Sequence, residues 1–98
     1  MTQQYTTHTP LFPLGKVVIT PGAISGLKQL KLSPYDLLLR HQSGDWGDMV
    51  KQDYQTNLEA LLFGRRLMSA YQLEQNIKIW IVTESNRIMT TILLPEEY

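Results

Sequence analysis

The chain is 98 residues long, 43% hydrophobic and 18% charged, the balance of one small globular domain rather than a disordered segment. Nine Lys and Arg cancel nine Asp and Glu, so no global basic field exists to coat nucleic acid, and any nucleic-acid site has to be local. The absence of cysteine excludes thiolate catalysis, Cys-ligated zinc and disulfides, and no apolar run approaches the roughly 18 residues that cross a membrane.

Residues 1–13 are rich in Thr and Gln and carry Pro10 and Pro13; a flexible or extended arm is expected there, ahead of a single domain over 14–98. The opening MTQQYTTHTP has neither a basic n-region nor an apolar h-region. No signal peptide is expected, and a cytoplasmic location follows as the expectation. The β-branched run GKVVIT reads as a strand. In TPGAISGLKQL, Thr20 is a good N-cap and Pro21 fits the first helical position, where no backbone N–H is needed. SPYDLLLRHQSG repeats the device: Ser33 caps, Pro34 opens, Leu37, Leu38 and Leu39 supply a buried face, and Gly44 stops the helix.

Asp45 or Asp48 is then expected to cap a third helix, MVKQDYQTNLEALLF, closed by Gly64. Val50, Tyr54, Leu58 and Leu61 lie at helical spacing along one side, flanked by Asp53 and Asn57. After Gly64 the period changes from 3.6 to 2. RRLMSAYQL, IKIWIVTE and RIMTTILL read as three strands joined by hairpins. The predicted fold is α+β: an N-terminal strand, two to three short helices, then a three-stranded antiparallel meander packed on them. With Ser85–Asn86 as a two-residue turn, Glu84 would face Arg87, Val82 would face Met89 and Trp80 would face Thr91. Ile77, Ile79, Ile81, Ile88, Ile92 and Leu94 would then share the core face.

Several residues could carry chemistry. His41 falls near a helix C-terminus, where the dipole favours the imidazolium and a general acid is conceivable; stabilising the dipole is the plainer role. Asp45 and Asp48 are spaced as alternative caps, and with His41 and Asp53 they offer metal donors, but no metal-binding spacing accompanies them. No cofactor is expected. Trp46 reads as a core plug or a stacking wall. Arg65 and Arg66 suit phosphate or carboxylate recognition. Ser69 lacks a nucleophile elbow, and Tyr71 and Trp80 could stack a base. The face carrying Trp80, Glu84, Arg87 and Thr91 mixes aromatic, charged and hydroxyl groups and is the better candidate working surface; a solvated face with one cross-strand ion pair is the plainer alternative.

FPLGKVVITPGAISGL, LLLRHQSGDWGDM, GRRLMSAYQL and IWIVTESNRIMTTILLPEEY together resemble a family of small bacterial proteins carried on plasmids and other mobile elements. The family pattern runs PLGxVVATPGAL, LLxRHxxGDWG, GxRLxSAY and WIITEADRSxTTxLLPxEY. The resemblance spans Phe12 to Tyr98, with Ile19 and Asn86 in place of the commoner Ala and Asp. It implies an accessory role without assigning an activity. More loosely, helices followed by an antiparallel sheet, with RH, SAY and TExxR motifs, are similar to compact metal-independent ribonucleases of the barnase–colicin–RelE type.

Two functions follow as expectations. One is a small module binding a protein partner, a second copy or a nucleic-acid end, with Asp45, Trp46, Tyr71, Trp80 and Thr91 as binding residues and no role at a membrane. The other is phosphodiester transesterification, with Glu84 as base, His41 as acid, and Arg66 and Arg87 on the phosphate. The second requires His41 and Glu84 to converge on one cleft.

Overall fold

The structure, a computed structural model, describes residues 10–98. Residues 1–9 of the expected arm lie outside the described residues. In the remainder of that arm Phe12 is buried, and the Leu11 N–H donates to the Gln42 carbonyl at 2.9 Å.

Strand β1 (Lys16–Ile19) leads into helices α1 (Pro21–Gln29), α2 (Pro34–Gln42) and α3 (Lys51–Phe63). Strands β2 (Leu67–Gln72), β3 (Lys78–Thr83) and β4 (Met89–Leu93) follow. The fold is α+β, as the pattern predicts. Its helix starts are built from the expected residues: Thr20 Oγ1 accepts from the Ala23 N–H at 3.3 Å, and Ser33 Oγ accepts from the Tyr35 N–H at 3.1 Å. Gly64, at φ +66°, ends α3 in the left-handed conformation.

The sheet has four strands rather than three, in the order β1-β4-β3-β2. β1 runs parallel to β4 and the other pairs are antiparallel. Gly15 makes the fourth strand fit. At φ +67°, a Cβ there would lie 2.3 Å from the Ile88 carbonyl carbon, so only glycine lets the chain close on β4.

The β3–β4 register is also displaced from the expected one. Trp80 opposes Leu93, Val82 opposes Thr91, and the Glu84 N–H donates to the Met89 carbonyl at 3.0 Å. The loop therefore takes Ser85 to Ile88, with Arg87 at φ +61° and Asn86 Oδ1 accepting from the Ile88 N–H. A slip of two residues keeps each strand's faces. Only Ile88 changes place: it leaves the core for the loop and is 65% exposed.

Helix α3 is turned relative to expectation. Its buried residues are Asn57 and Ala60, Tyr54 and Leu61 are half-buried, and Val50 and Leu58 are exposed. The helix docks beside β2, and the Asn57 carboxamide has to face that strand. Neither aspartate caps it, because Val50 holds the N-cap position without a side-chain hydrogen bond.

Two apolar clusters fill the core. Ala23, Leu27, Leu37 and Leu38 of α1 and α2 meet Tyr71, Ile79, Ile81 and Ile92 of the sheet. Phe12, Trp46, Ala60 and Leu67 form the second. Every strand residue in both clusters lies on one face of the sheet, and all three helices contribute to that side. Among the described residues no helix is long and apolar enough to cross a membrane.

Candidate functional site

His41 sits in the last turn of α2 and is wholly buried against the helical face of the sheet. Its Nδ1 lies 2.5 Å from Ser69 Oγ and its Nε2 lies 2.9 Å from Thr83 Oγ1. Thr83 Oγ1 is 2.7 Å from Thr90 Oγ1, and Thr90 donates to the Leu14 carbonyl at 2.7 Å. The direction of the whole chain follows from its last link. A carbonyl only accepts, so the single Thr90 proton goes to Leu14, and Thr90 accepts from Thr83. Thr83 accepts in turn from His41, which makes His41 the Nε2–H tautomer. Nδ1 is then an acceptor, and Ser69 donates to it.

Burial, and secondarily the Arg87 guanidinium, push the imidazole down to about 3. His41 is therefore neutral near pH 7, with both nitrogens engaged. Phe12 closes over it edge-on, ring centroids 5.2 Å apart. This is an architectural pin between α2, β2, β3 and β4.

The acid–base pair expected from sequence is not brought together. Thr83 points at His41, and Glu84, one residue on, is exposed past the strand end. The Arg87 guanidinium is engaged by backbone carbonyls. Its Nη1 donates to the carbonyls of Arg65 at 2.6 Å and Glu84 at 3.0 Å, and its Nη2 donates to Ala60 at 3.1 Å. It ties the C-terminal turn of α3 to the β3–β4 loop, with Phe12 beneath its guanidinium.

The GDWG motif serves the β2 edge. β2 gives its odd residues to β3, so Met68, Ala70 and Gln72 turn their peptide groups outward. Each outward N–H has a partner. Met68 donates to Asn57 Oδ1, Ala70 to the Trp46 carbonyl, and Gln72 to Asp48 Oδ2 at 2.7 Å. Asn57 Nδ2 returns a bond to the Met68 carbonyl at 2.7 Å, and the Asp48 N–H returns one to the Ala70 carbonyl at 2.7 Å. Gly47, at φ +79°, lets the loop approach: a Cβ there would lie 2.2 Å from the Ala70 oxygen.

Trp46 is a core residue, and its buried Nε1 finds no acceptor among the described residues. Asp45 forms a bidentate pair with Arg40, 2.6 Å from Oδ2 to Nε, and this guanidinium holds its carboxyl below the usual range. Arg40 lies over the buried Tyr71 ring, whose hydroxyl donates to the Asp45 carbonyl at 2.6 Å. Burial raises the Tyr71 phenol, so it stays protonated. Among the described residues no three of the His, Asp and Glu side chains gather as a metal site.

Trp80 and Thr91 share the opposite face of the sheet with Met68, Ala70, Val82, Leu93 and Val18. None of these belongs to either core cluster, and of them Val82 and Leu93 are buried while Trp80, Thr91, Met68, Ala70 and Val18 are half-buried. Tyr98 lies against Trp80, ring centroids 5.7 Å apart, and its hydroxyl accepts from Arg66 Nη1. The Arg66 guanidinium also sits 5.4 Å from the Tyr98 ring centre. Lys16 and Lys78, both exposed, alternate onto this same face.

Thr83, Thr90 and Asn57 were not readable as functional positions. The available signal was hydroxyl residues at inward strand positions opposite a helical His, and a carboxamide inside an apolar helix stripe. The chain matches no known protein-family model, no curated protein and no solved structure.

Proposed function

We propose that this chain is a small binding module, an accessory protein of a bacterial mobile element, that holds a partner protein on the open face of its sheet. One observation carries the reading: Trp80, Tyr98 and Arg66 lie side by side on the sheet face opposite both core clusters. Trp, Tyr and Arg are the residue types that dominate protein interfaces, because each offers a large rigid surface with a polar end. The zero net charge favours a protein over a polyanion. The motif resemblance supports the mobile-element setting.

A second reading, single-stranded nucleic acid, is favoured by Arg66 at the Tyr98 ring and Lys78 two residues from Trp80 on the same face, since the rings would stack bases while the cations meet phosphate. Acid–base catalysis by His41 has no comparable support, since the ring is neutral and enclosed.

The test is capture from a bacterial lysate on the wild-type chain beside a Trp80→Ala, Arg66→Ala variant, with dye-labelled oligouridylate titrated with each by fluorescence anisotropy. A protein held by the wild type and lost by the variant supports the first reading. Salt-sensitive oligouridylate binding by the wild type alone supports the second. Equal capture and no oligouridylate binding by either protein would sink both.

A further inference from the structure

The two edges of the sheet are treated differently. β2 is sealed by Trp46, Asp48 and Asn57, as described above. β1 is the other edge. The Lys16 N–H donates to the Ile88 carbonyl and the Thr20 N–H to the Ile92 carbonyl, both at 3.0 Å, so the even residues face β4. Alternation turns the peptide groups of Val17 and Ile19 outward, and among the described residues none pairs with them. Natural edges are blunted by short length, charged side chains such as Lys, proline, bulges or a covering loop. β1 is short, but its one charge, Lys16, stands at the start of the strand and on the open face, and its KVVI sequence has no proline and no charge between Val17 and Ile19.

The surroundings of this edge are apolar. Val17 is 37% exposed. Beside it a cavity of about 260 Å³ opens between α1 and α2, lined by Ile19, Ile24, Leu27, Leu32, Pro34 and Lys28. Ile24 and Leu32 are exposed on its rim.

We propose that two copies of the chain pair β1 to β1 about a two-fold axis through Val18, making one continuous sheet from two four-stranded halves. A closed two-fold contact requires antiparallel strands, and an axis perpendicular to the sheet keeps the helices of both copies on one side. The outward groups then fix the register. Val17 and Ile19 must be the hydrogen-bonded partners, each exchanging N–H···O bonds with the other residue type in the second copy.

That register is self-complementary. On the helical side Val17 meets the second copy's Ile19, and the reciprocal contact joins the apolar cavities of the two copies into one seam. On the open side Val18 meets Val18 on the axis. Lys16 falls opposite the second copy's Thr20, whose hydroxyl donates to Glu97 Oε1 at 2.5 Å. A lysine ammonium thus approaches a carboxylate on each side of the axis, and no like charges oppose. The sealed β2 edges then bound the sheet at both ends, so association stops at two copies instead of running on as a fibre.

The absence of cysteine makes the register directly testable. Residues opposed in a non-hydrogen-bonded antiparallel pair have Cα atoms about 4.5 Å apart, within disulfide reach. Val18→Cys should oxidise to a covalent dimer, whereas Lys16→Cys, whose two copies lie apart along the seam, should remain single. Sedimentation equilibrium should show the wild type dimerising as its concentration rises to about 100 μM. Val17→Pro, which removes only an outward N–H, should be monomeric with its thermal midpoint kept. A wild type that stays monomeric throughout would overturn the proposal, as would folding of the chain's own residues 1–9 onto β1. So would a dimer that survives Val17→Pro, or crosslinking of Lys16→Cys in place of Val18→Cys.

Discussion

His41 has the position of a catalytic acid and the environment of a structural pin. An unfolded histidine titrates near 6.5, and the folded ring is pushed down to about 3. Between those values the unfolded chain binds the extra proton, so stability is full above about pH 6.5 and falls as pH drops toward 3. The loss is on the order of 4 kcal/mol from this group alone. Urea unfolding from pH 7 to pH 4 should show the decline, and a His41→Leu variant should show much less of it. His41→Ala should cost roughly 3 kcal/mol at pH 7, because it opens a cavity and strands two buried hydroxyls. A loss under about 1 kcal/mol would show that the hydroxyl chain closes without the ring. The sequence displayed the histidine but not its partners, which lie 28 and 42 residues away. Local spacing cannot encode such a contact.

At the level of elements, the legible parts were those set by neighbours along the chain. Thr20–Pro21 and Ser33–Pro34 start helices, Gly64 stops one, and the alternation of β2, β3 and β4 assigns their faces. The parallel β1–β4 pairing was not legible, because it joins segments at opposite ends of the chain through the backbone at Gly15. Nor was the rotation of α3, since Asn57 interrupts an apolar stripe for a reason that lies on another element. That role gives a prediction. Asn57→Ala should free the Met68 peptide and destabilise the fold by about 2 kcal/mol. Hydrogen exchange at the Met68 amide should accelerate well beyond the roughly 30-fold that a global loss of about 2 kcal/mol gives Ile81, inside the β2–β3 ladder. Gly47→Ala should open the Ala70 end of the same edge, because the loop must retreat from the strand. Unchanged exchange at both amides would mean that the edge is closed by other groups.

Across the whole molecule the two sheet faces divide the work: one is occupied by helices and the His41 chain, and the other is left to Trp80. The C-terminal turn spans both. Glu97 accepts from the Gly22 N–H at 3.1 Å and the Leu94 N–H at 2.8 Å as well as from Thr20, while Tyr98 lies on Trp80. The Thr20 hydroxyl first, then the Leu94 amide, hold the Glu97 carboxyl below its ordinary value. A depressed carboxyl contributes to docking above its unfolded pKa, and that contribution is lost as pH falls through the folded one. Acidification through and below the ordinary glutamate range should therefore loosen the turn and change Trp80 fluorescence, whereas Glu97→Gln should show the loosened state already at neutral pH. Binding on the open face and architecture at His41 are the central claim, and an amide-resolved NMR titration with the captured partner tests it most directly. The predicted result is movement of Met68, Trp80, Val82, Thr91 and Tyr98, with the His41 ring unshifted in its Nε2–H form. Movement centred on His41, Ser69 and Asp45, with the open face still, would contradict it.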